Sequence, residues 1–132
     1  LEDTFSYVAK TGYDAIEIAP FTIAKYVTEI TPEQRENIRA LARKHNLAIS
    51  AIHWVLVQTE GLHLTDPDSA VRDRTARYFI HLVDFCADIG GSCIVVGSPK
   101  QRNLGEGVSR EQGWEWATSV FRESVKRAEE RG

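Results

Sequence analysis

Three stretches of the chain follow one pattern: Gly12-Tyr-Asp-Ala-Ile-Glu-Ile-Ala-Pro20, Asn46-Leu-Ala-Ile-Ser-Ala-Ile-His-Trp54 and Gly91-Ser-Cys-Ile-Val-Val-Gly-Ser-Pro99. Each begins with the Gly or Asn typical of a helix end, continues as a short apolar strand and finishes in polar or turn-forming residues. About one strand, one loop and one helix separate successive copies, and Gly132 is a fourth closing Gly. This alternation predicts an α/β fold with parallel strands, either a barrel or a layered sheet.

Helix start and stop signals divide the rest of the chain. They predict a first helix over about Glu2 to Lys10 and a second that Thr31 caps, with Pro32 at its first position. A third helix is predicted to begin at an Asp66 cap with Pro67 and to end at Gly90-Gly91, and a fourth to begin at a Ser109 cap, with Gln112 three residues on. The last helix carries an apolar stripe that we expect to be buried: Trp114, Ala117, Phe121, Val125 and Ala128.

The strand patterns predict which side chains face which layer. Ile16 and Ile18 alternate with Glu17, so we expect the isoleucines to face the helices and Glu17 to face the interior. The strand from Cys93 to Val96 is apolar throughout, which predicts cover on both faces. For His53 the pattern leaves either face open.

Composition restricts the class of protein. With 42% hydrophobic and 27% charged residues, the chain is typical of a globular domain and not of a disordered one. A net charge of −3 argues against a nucleic-acid partner. Cys86 and Cys93 lack metal-ligand spacing, and we expect both to be buried thiols. No run is long enough to cross a membrane and no signal peptide opens the chain, so we expect a cytoplasmic protein.

The extent of the pattern predicts a partial barrel. A complete (β/α)8 TIM barrel needs about 250 residues, whereas this chain has 132, contains no Met and opens in or just before a helix. We therefore expect residues 1–132 to form one partial barrel domain, from helix 1 through helix 4, without the first strand and strands 5 to 8. Free strand edges would favour pairing with another chain, so homo-oligomer formation is a further expectation.

The unusual polar groups follow the strands. His53-Trp54 end the second strand and precede a long loop, and the third strand leads into Gly97-Ser-Pro-Lys-Gln-Arg-Asn103. The turns on the opposite side are short and carry no such cluster. Because reacting groups of parallel α/β folds lie at the carboxyl ends of the strands, the sequence predicts a site there.

Three segments together resemble the sugar phosphate isomerase/epimerase family, the xylose-isomerase-like TIM barrels. They are Gly61-Leu-His-Leu-Thr-Asp-Pro67, the helix from Tyr78 to Gly91 that ends Asp84-Phe-Cys-Ala-Asp-Ile-Gly-Gly, and Gly97-Ser-Pro-Lys-Gln-Arg-Asn103, the most specific of the three. The resemblance covers essentially the whole chain and corresponds to the N-terminal half of the barrel.

This resemblance implies an isomerase or epimerase that acts on a small sugar, sugar phosphate or hydroxy-keto acid. In such enzymes a divalent metal (Mn, Mg, Co or Zn) holds substrate oxygens while paired Glu residues move a proton through an enediolate. The metal ligands and catalytic Glu residues come from the second half of the barrel, so no residue of this chain is assigned a catalytic or metal-binding role.

Seven residues are candidates for substrate binding, each with a structural alternative. Glu17 could bind a hydroxyl or support a metal ligand, or be an interior carboxylate held by a partner. His53 could bind substrate or transfer a proton, or be a hydrogen-bonded interior imidazole. Trp54 could be a stacking wall or fill the core. Four loop residues could grip an anion or polyol, or be solvated: Lys100, Gln101, Arg102 and Asn103.

Two other functions compete with the isomerase hypothesis. The chain could be a half-barrel that binds or assembles through its free edges without catalysis. It could also belong to an endonuclease of the same superfamily that acts on damaged DNA, a reading that the acidic balance disfavours.

Overall fold

A computed structural model describes all residues from 1 to 132. The α-helices are α1 (Glu2–Lys10), α2 (Pro32–Lys44), α3 (Ser69–Ile89) and α4 (Arg110–Arg131), and the strands are β1 (Ala15–Ile18), β2 (Ala48–His53) and β3 (Cys93–Val95). Short 3-10 turns cover Pro20–Thr22, Val27–Glu29 and Pro99–Gln101. The predicted alternation of strands and helices is therefore confirmed.

The three strands form one parallel sheet in the order β1-β2-β3. Ile18, Ile52 and Ile94 lie side by side, and the first two are almost completely buried against the helix layer. On the opposite face Glu17, Ala51 and Cys93 form the neighbouring row. The helices thus cover one face of the sheet, and Glu17 lies on the other face, as predicted.

A bulge in β2 decides the face of His53. Ile16 pairs with Ile49, but Glu17 pairs with Ala51, so Ser50 is an extra residue between them. Because the bulge shifts the alternation by one, the residues that follow it present the opposite faces from those that a regular strand would give. His53 consequently shares the face of Glu17.

The core lies between the sheet and the helices, and α3 contributes most to it. Leu82, Phe85 and Ile89 are buried, and Phe79 packs edge-to-face on Phe121 of α4 at 5.0 Å between ring centroids. The α3 helix can supply so many core residues because its apolar positions recur at three-to-four spacing over 21 residues.

Helix capping agrees with the sequence at two of three sites. Thr31 and Ser109 each accept from the backbone N–H three residues on, with Gln34 and Gln112 completing capping boxes. The predicted Asp66 cap of α3 is wrong. Asp68 caps the helix, and Asp66 accepts instead from the backbone N–H of Asp68 at 2.9 Å, so the helix begins two residues later than predicted.

Two burial predictions are also wrong. On α4, Trp114 is 77% exposed and Val125 54% exposed, because no element packs on that side of the helix. Cys86 is buried, but Cys93 is exposed, as is Val95 at 42%. Both residues belong to β3, the edge strand, whose uncovered face carries them.

Candidate functional site at the carboxyl ends of the strands

The carboxyl ends of β1 and β2 bring two of the predicted residues to one face of the sheet. Glu17 lies in the row with Ala51, and His53 lies two residues further along the same face, beside Val95. Glu17 is exposed and His53 half-buried. Neither side chain makes a hydrogen bond or ion pair within this chain, so no residue described here is the partner that the structural alternative requires.

Trp54 follows His53 directly, at the carboxyl end of β2. It is 51% exposed, and its indole stacks on Phe21 with ring centroids 6.0 Å apart and an interplanar angle of 17°. The His53 ring lies 6.1 Å away, tilted by 53°. Within this chain the Trp54 ring is therefore not enclosed in the core.

Phe21 is the residue that sequence reasoning missed. It lies in the short turn Pro20–Thr22, directly after β1, and therefore reaches the same end of the sheet as Trp54. The signal was the aromatic residue directly after Pro20, which opens the turn that follows β1. A stack between residues so far apart in sequence shows no periodicity, which is why pattern analysis could not find it.

The loop with the four remaining candidates is fixed to the long loop after β2. Buried Ser98 accepts from the backbone N–H of Leu56 at 3.1 Å, the carbonyl of Gln101 accepts from the N–H of Leu64 at 2.8 Å, and the Thr65 hydroxyl donates to the Asn103 carbonyl at 2.7 Å. These bonds hold the loop in place without using the side chains of its cations.

Within this loop the candidate side chains differ. Lys100 and Arg102 are exposed and make no ion pair or side-chain hydrogen bond in the chain. Gln101 is half-buried. With its nitrogen on that side, the Asn103 side-chain amide donates to the carbonyl oxygens of Pro99 and Lys100. The two cations are thus unpaired within this chain, whereas Asn103 contributes to the shape of the loop itself.

An ion pair joins the loops that follow β1 and β2. Lys25 donates to Glu60 at 2.6 Å, which raises the pKa of the Lys25 ammonium and lowers the pKa of the Glu60 carboxyl. The Glu60 backbone N–H also donates to the Tyr26 hydroxyl at 3.3 Å. Both groups of the pair are well exposed, so the pair positions these loops more than it stabilises the fold.

The carboxylates, imidazoles and thiols of this chain do not cluster as metal ligands. No group of three or more His, Cys, Asp or Glu side chains in the chain is placed to hold an ion. Glu17 and His53 share a face but have no third donor beside them. The residues of this chain do not form a metal site by themselves.

No helix is long and apolar enough to span a membrane.

Two solved structures that this chain resembles in fold are sugar epimerases by name. A D-psicose 3-epimerase of Clostridium cellulolyticum H10, crystallised with D-tagatose, superposes with a TM-score of 0.77 at 19% identity over 99% of this chain and 44% of its own. The 3-keto-D-glucoside 4-epimerase YcjR of E. coli gives a TM-score of 0.72 at 17% identity, over 99% and 48%.

This chain thus spans a little under half the length of these structures. At identities below 20% the likeness establishes only the fold, which is a partial TIM barrel. No curated protein matches the sequence. The sequence model described as "Xylose isomerase-like TIM barrel" matches residues 5–132. The chain therefore belongs to the xylose isomerase-like TIM barrel family.

Proposed function

We propose that the protein containing this chain is an isomerase or epimerase that acts on a small sugar, sugar phosphate or hydroxy-keto acid. The observation that carries the proposal is the convergence of Glu17, His53 and Trp54 at the carboxyl ends of the strands, where catalytic groups of barrels lie. Family membership and the sugar epimerases of the same fold support the choice of carbohydrate chemistry.

The residues of this chain would bind and orient the substrate. Glu17 and His53 have free hydrogen-bonding capacity that suits sugar hydroxyls, since a carboxylate accepts and an imidazole can both donate and accept. Lys100 and Arg102 suit a phosphate or carboxylate. Asn103 and Gln101 would act mainly through the loop that their backbone carbonyls fix.

The groups that move the proton would come from outside this chain. A divalent ion (Mn, Mg, Co or Zn) is expected in the intact barrel, and no group of three or more candidate ligands in this chain is placed to hold it. When bound, such an ion stabilises negative charge on substrate oxygen. The contribution of this chain is accordingly to hold the sugar at the mouth of the barrel.

Proton exchange tests the proposal directly. The full-length protein, supplied with each divalent ion in turn, is incubated in deuterated water with ketoses, their phosphates and hydroxy-keto acids, and proton NMR follows the hydrogen on the carbon next to the carbonyl. We expect enzyme-dependent loss of that signal for at least one substrate. If no substrate in the panel exchanges with any of the ions, the proposed function is rejected.

One observation favours a second candidate, a binding or assembly module. An apolar groove of about 550 Å³ lies beside the free edge of β3, between α3 and α4. Unpaired edge backbone next to an apolar groove is a typical place for another strand to add. Sedimentation of the 132-residue chain tests this candidate, because a folded monomer that does not self-associate at high concentration would contradict homo-assembly.

A further inference from the structure

A short segment of the loop after β2 joins α3 to the loop after β3. It consists of His63, Leu64 and Thr65. The His63 backbone N–H donates to Thr75 Oγ1 on α3 at 2.9 Å, and the Leu64 N–H donates to the carbonyl of Gln101 at 2.8 Å. Leu64, Thr65 and Thr75 are all buried. The segment therefore ties the loop after β3 to a helix of the core.

The His63 imidazole supplies an acceptor inside this segment. Its Nδ1 accepts from the backbone N–H of Thr65 at 3.1 Å. The Thr65 hydroxyl also lies 3.5 Å from Nδ1, but it donates to the carbonyl of Asn103 at 2.7 Å. Because Nδ1 accepts, the proton of the neutral ring is on Nε2. Thr65 is buried, and a buried N–H without an acceptor is costly, so loss of this nitrogen should loosen Thr65.

From Thr65 the hydrogen bonds continue to the part of the loop that carries the two cations. The Thr65 hydroxyl holds the Asn103 backbone, and the Asn103 side-chain amide donates to the carbonyls of Pro99 and Lys100. Lys100 and Arg102 are therefore attached to a backbone that buried groups fix, although their own side chains are exposed and unpaired within this chain.

We propose that His63 is a positioning residue for the anionic group of the substrate. Its Nδ1 fixes Thr65, Thr65 fixes the Asn103 backbone, and the loop then presents Lys100 and Arg102 to a phosphate or a carboxylate. The inference rests on the proposed function and names the part of the substrate that this loop recognises. Cations on a fixed backbone bind an anion more tightly than cations on a mobile one, because less conformational freedom is lost on binding.

Two amide substitutions separate the Nδ1 contact from the rest of the ring. In His63→Asn the side-chain oxygen is as many bonds from the backbone as Nδ1, and an Asn oxygen readily accepts from the N–H two residues on. In His63→Gln the oxygen is one bond further away, like Nε2, so Thr65 loses its acceptor. His81→Gln is the matched control, because this histidine is exposed on α3 and makes no side-chain hydrogen bond in the chain.

The probes are inorganic phosphate and L-lactate, titrated separately into the full-length protein. Phosphorus NMR line broadening measures phosphate binding, and saturation-transfer proton NMR measures lactate binding. We expect at least one of the two to bind, which identifies the anion as a phosphate or a carboxylate, and Arg102→Ala to weaken that binding. His63→Gln should weaken it about fivefold, as expected for the loss of one hydrogen bond that fixes a site. His63→Asn and His81→Gln should keep the wild-type affinity.

Thermal unfolding shows whether each variant is folded at the temperature of the titration. If His63→Gln is not, the titration is made with His63→Ala, which also lacks the acceptor and adds no longer side chain to the loop. A purely structural role for His63 predicts a lower Tm in His63→Gln with unchanged affinity in the folded protein, and that result would overturn the proposal.

Three other results would also overturn it. They are equal weakening in His63→Asn and His63→Gln, unchanged binding in Arg102→Ala, and an absence of binding of both probes to the wild-type protein. Failure of the proposed function is a separate result, because it is an absence of proton exchange at substrate carbon, and an anion can bind to this loop without such exchange.

Discussion

Charged side chains between the helices are paired, whereas three of the charged side chains at the strand ends are not. Between helices, Arg35 meets Asp88 at 2.7 Å and Arg127 meets Asp84 at 2.8 Å. At the strand ends, Glu17, Lys100 and Arg102 have no ionic partner in the chain. Paired charges that are partly buried serve the fold, whereas the unpaired charges lie where barrels usually bind their ligands.

This difference predicts two kinds of substitution. Changes between the helices should lower stability and leave ligand binding largely unaltered. Changes at the strand ends should weaken binding and have little effect on stability, as is common where binding sites are not optimised for folding. A residue that connects the two regions should affect both properties.

Arg35 should give the largest loss of stability. Its guanidinium donates to the carbonyls of Ile30 at 3.0 Å and Val27 at 3.3 Å as well as to Asp88, and its side chain is only 17% exposed. Arg35→Met keeps the aliphatic stem but leaves these acceptors without a donor, so we expect a loss of about 2 kcal/mol in the free energy of unfolding, measured with urea.

A neighbour on the same helix provides the control. Arg39 is exposed and reaches Glu36 only at 3.7 Å, so Arg39→Met should change stability by less than about 0.5 kcal/mol. Equal effects of the two substitutions would show that the bonds of Arg35 add nothing beyond those of a surface cation.

Arg102 should give the largest effect on binding at the strand ends. Because its side chain is exposed and unpaired, Arg102→Ala should leave Tm unchanged. If the loop binds an anion, KM for a phosphorylated substrate should rise about tenfold, and KM for its neutral analogue should rise much less. Lys10→Ala, at the last turn of α1 and away from the strand ends, is the matched loss of one cation. Equal increases for both substrates would reject the anion hypothesis.

The sequence predicted the fold better than the site because different physical signals carry each. Local hydrogen-bonding chemistry identified Thr31 and Ser109 as helix caps. The alternation of large and small side chains along β1 predicted the face of the sheet on which Glu17 lies. The start of α3 was mistaken because two acidic residues, Asp66 and Asp68, flank Pro67 and either could cap the helix. Only the hydrogen bonds of the folded chain decide between them.

Long-range features were beyond sequence patterns. The face of His53 depends on a bulge at Ser50 that apolar alternation does not reveal. The Phe21 and Trp54 stack joins two loops whose proximity follows only from strand pairing. Trp114 was predicted to be buried from its helical spacing, but burial needs a second surface, and none is present on that side of α4.

Thr65 connects the two regions and should give a smaller, mixed effect. It is buried, and its hydroxyl fixes the loop of Lys100 and Arg102 by donating to the Asn103 carbonyl at 2.7 Å. Thr65→Val preserves shape and removes that bond, so we expect a loss of about 1 kcal/mol in unfolding free energy. The KM for an anionic substrate should also rise, by less than in Arg102→Ala.

The control for Thr65 is an exposed threonine. Thr118 donates only to the carbonyl of Trp114 within its own helix, so Thr118→Val should be nearly neutral for stability and for KM. A Thr65→Val protein with unchanged KM would show that the loop keeps its position without this bond.

The smallest expected effect is a pH dependence at the ion pair between α1 and α2. Hydrogen bonds from Lys44 and His45, each at 2.8 Å, lower the pKa of Glu2 from its ordinary value of 4.5.

A carboxyl whose pKa is lower in the folded state contributes stability above its unfolded pKa and loses that contribution as pH falls through the folded pKa. The wild-type Tm should therefore exceed that of Glu2→Gln at neutral pH, and the two should converge as pH falls below the lowered pKa of Glu2. Because Glu2 is exposed, added salt should reduce the difference at neutral pH. A Tm difference that stays constant from neutral to acidic pH would show that these contacts do not act through the charge of Glu2.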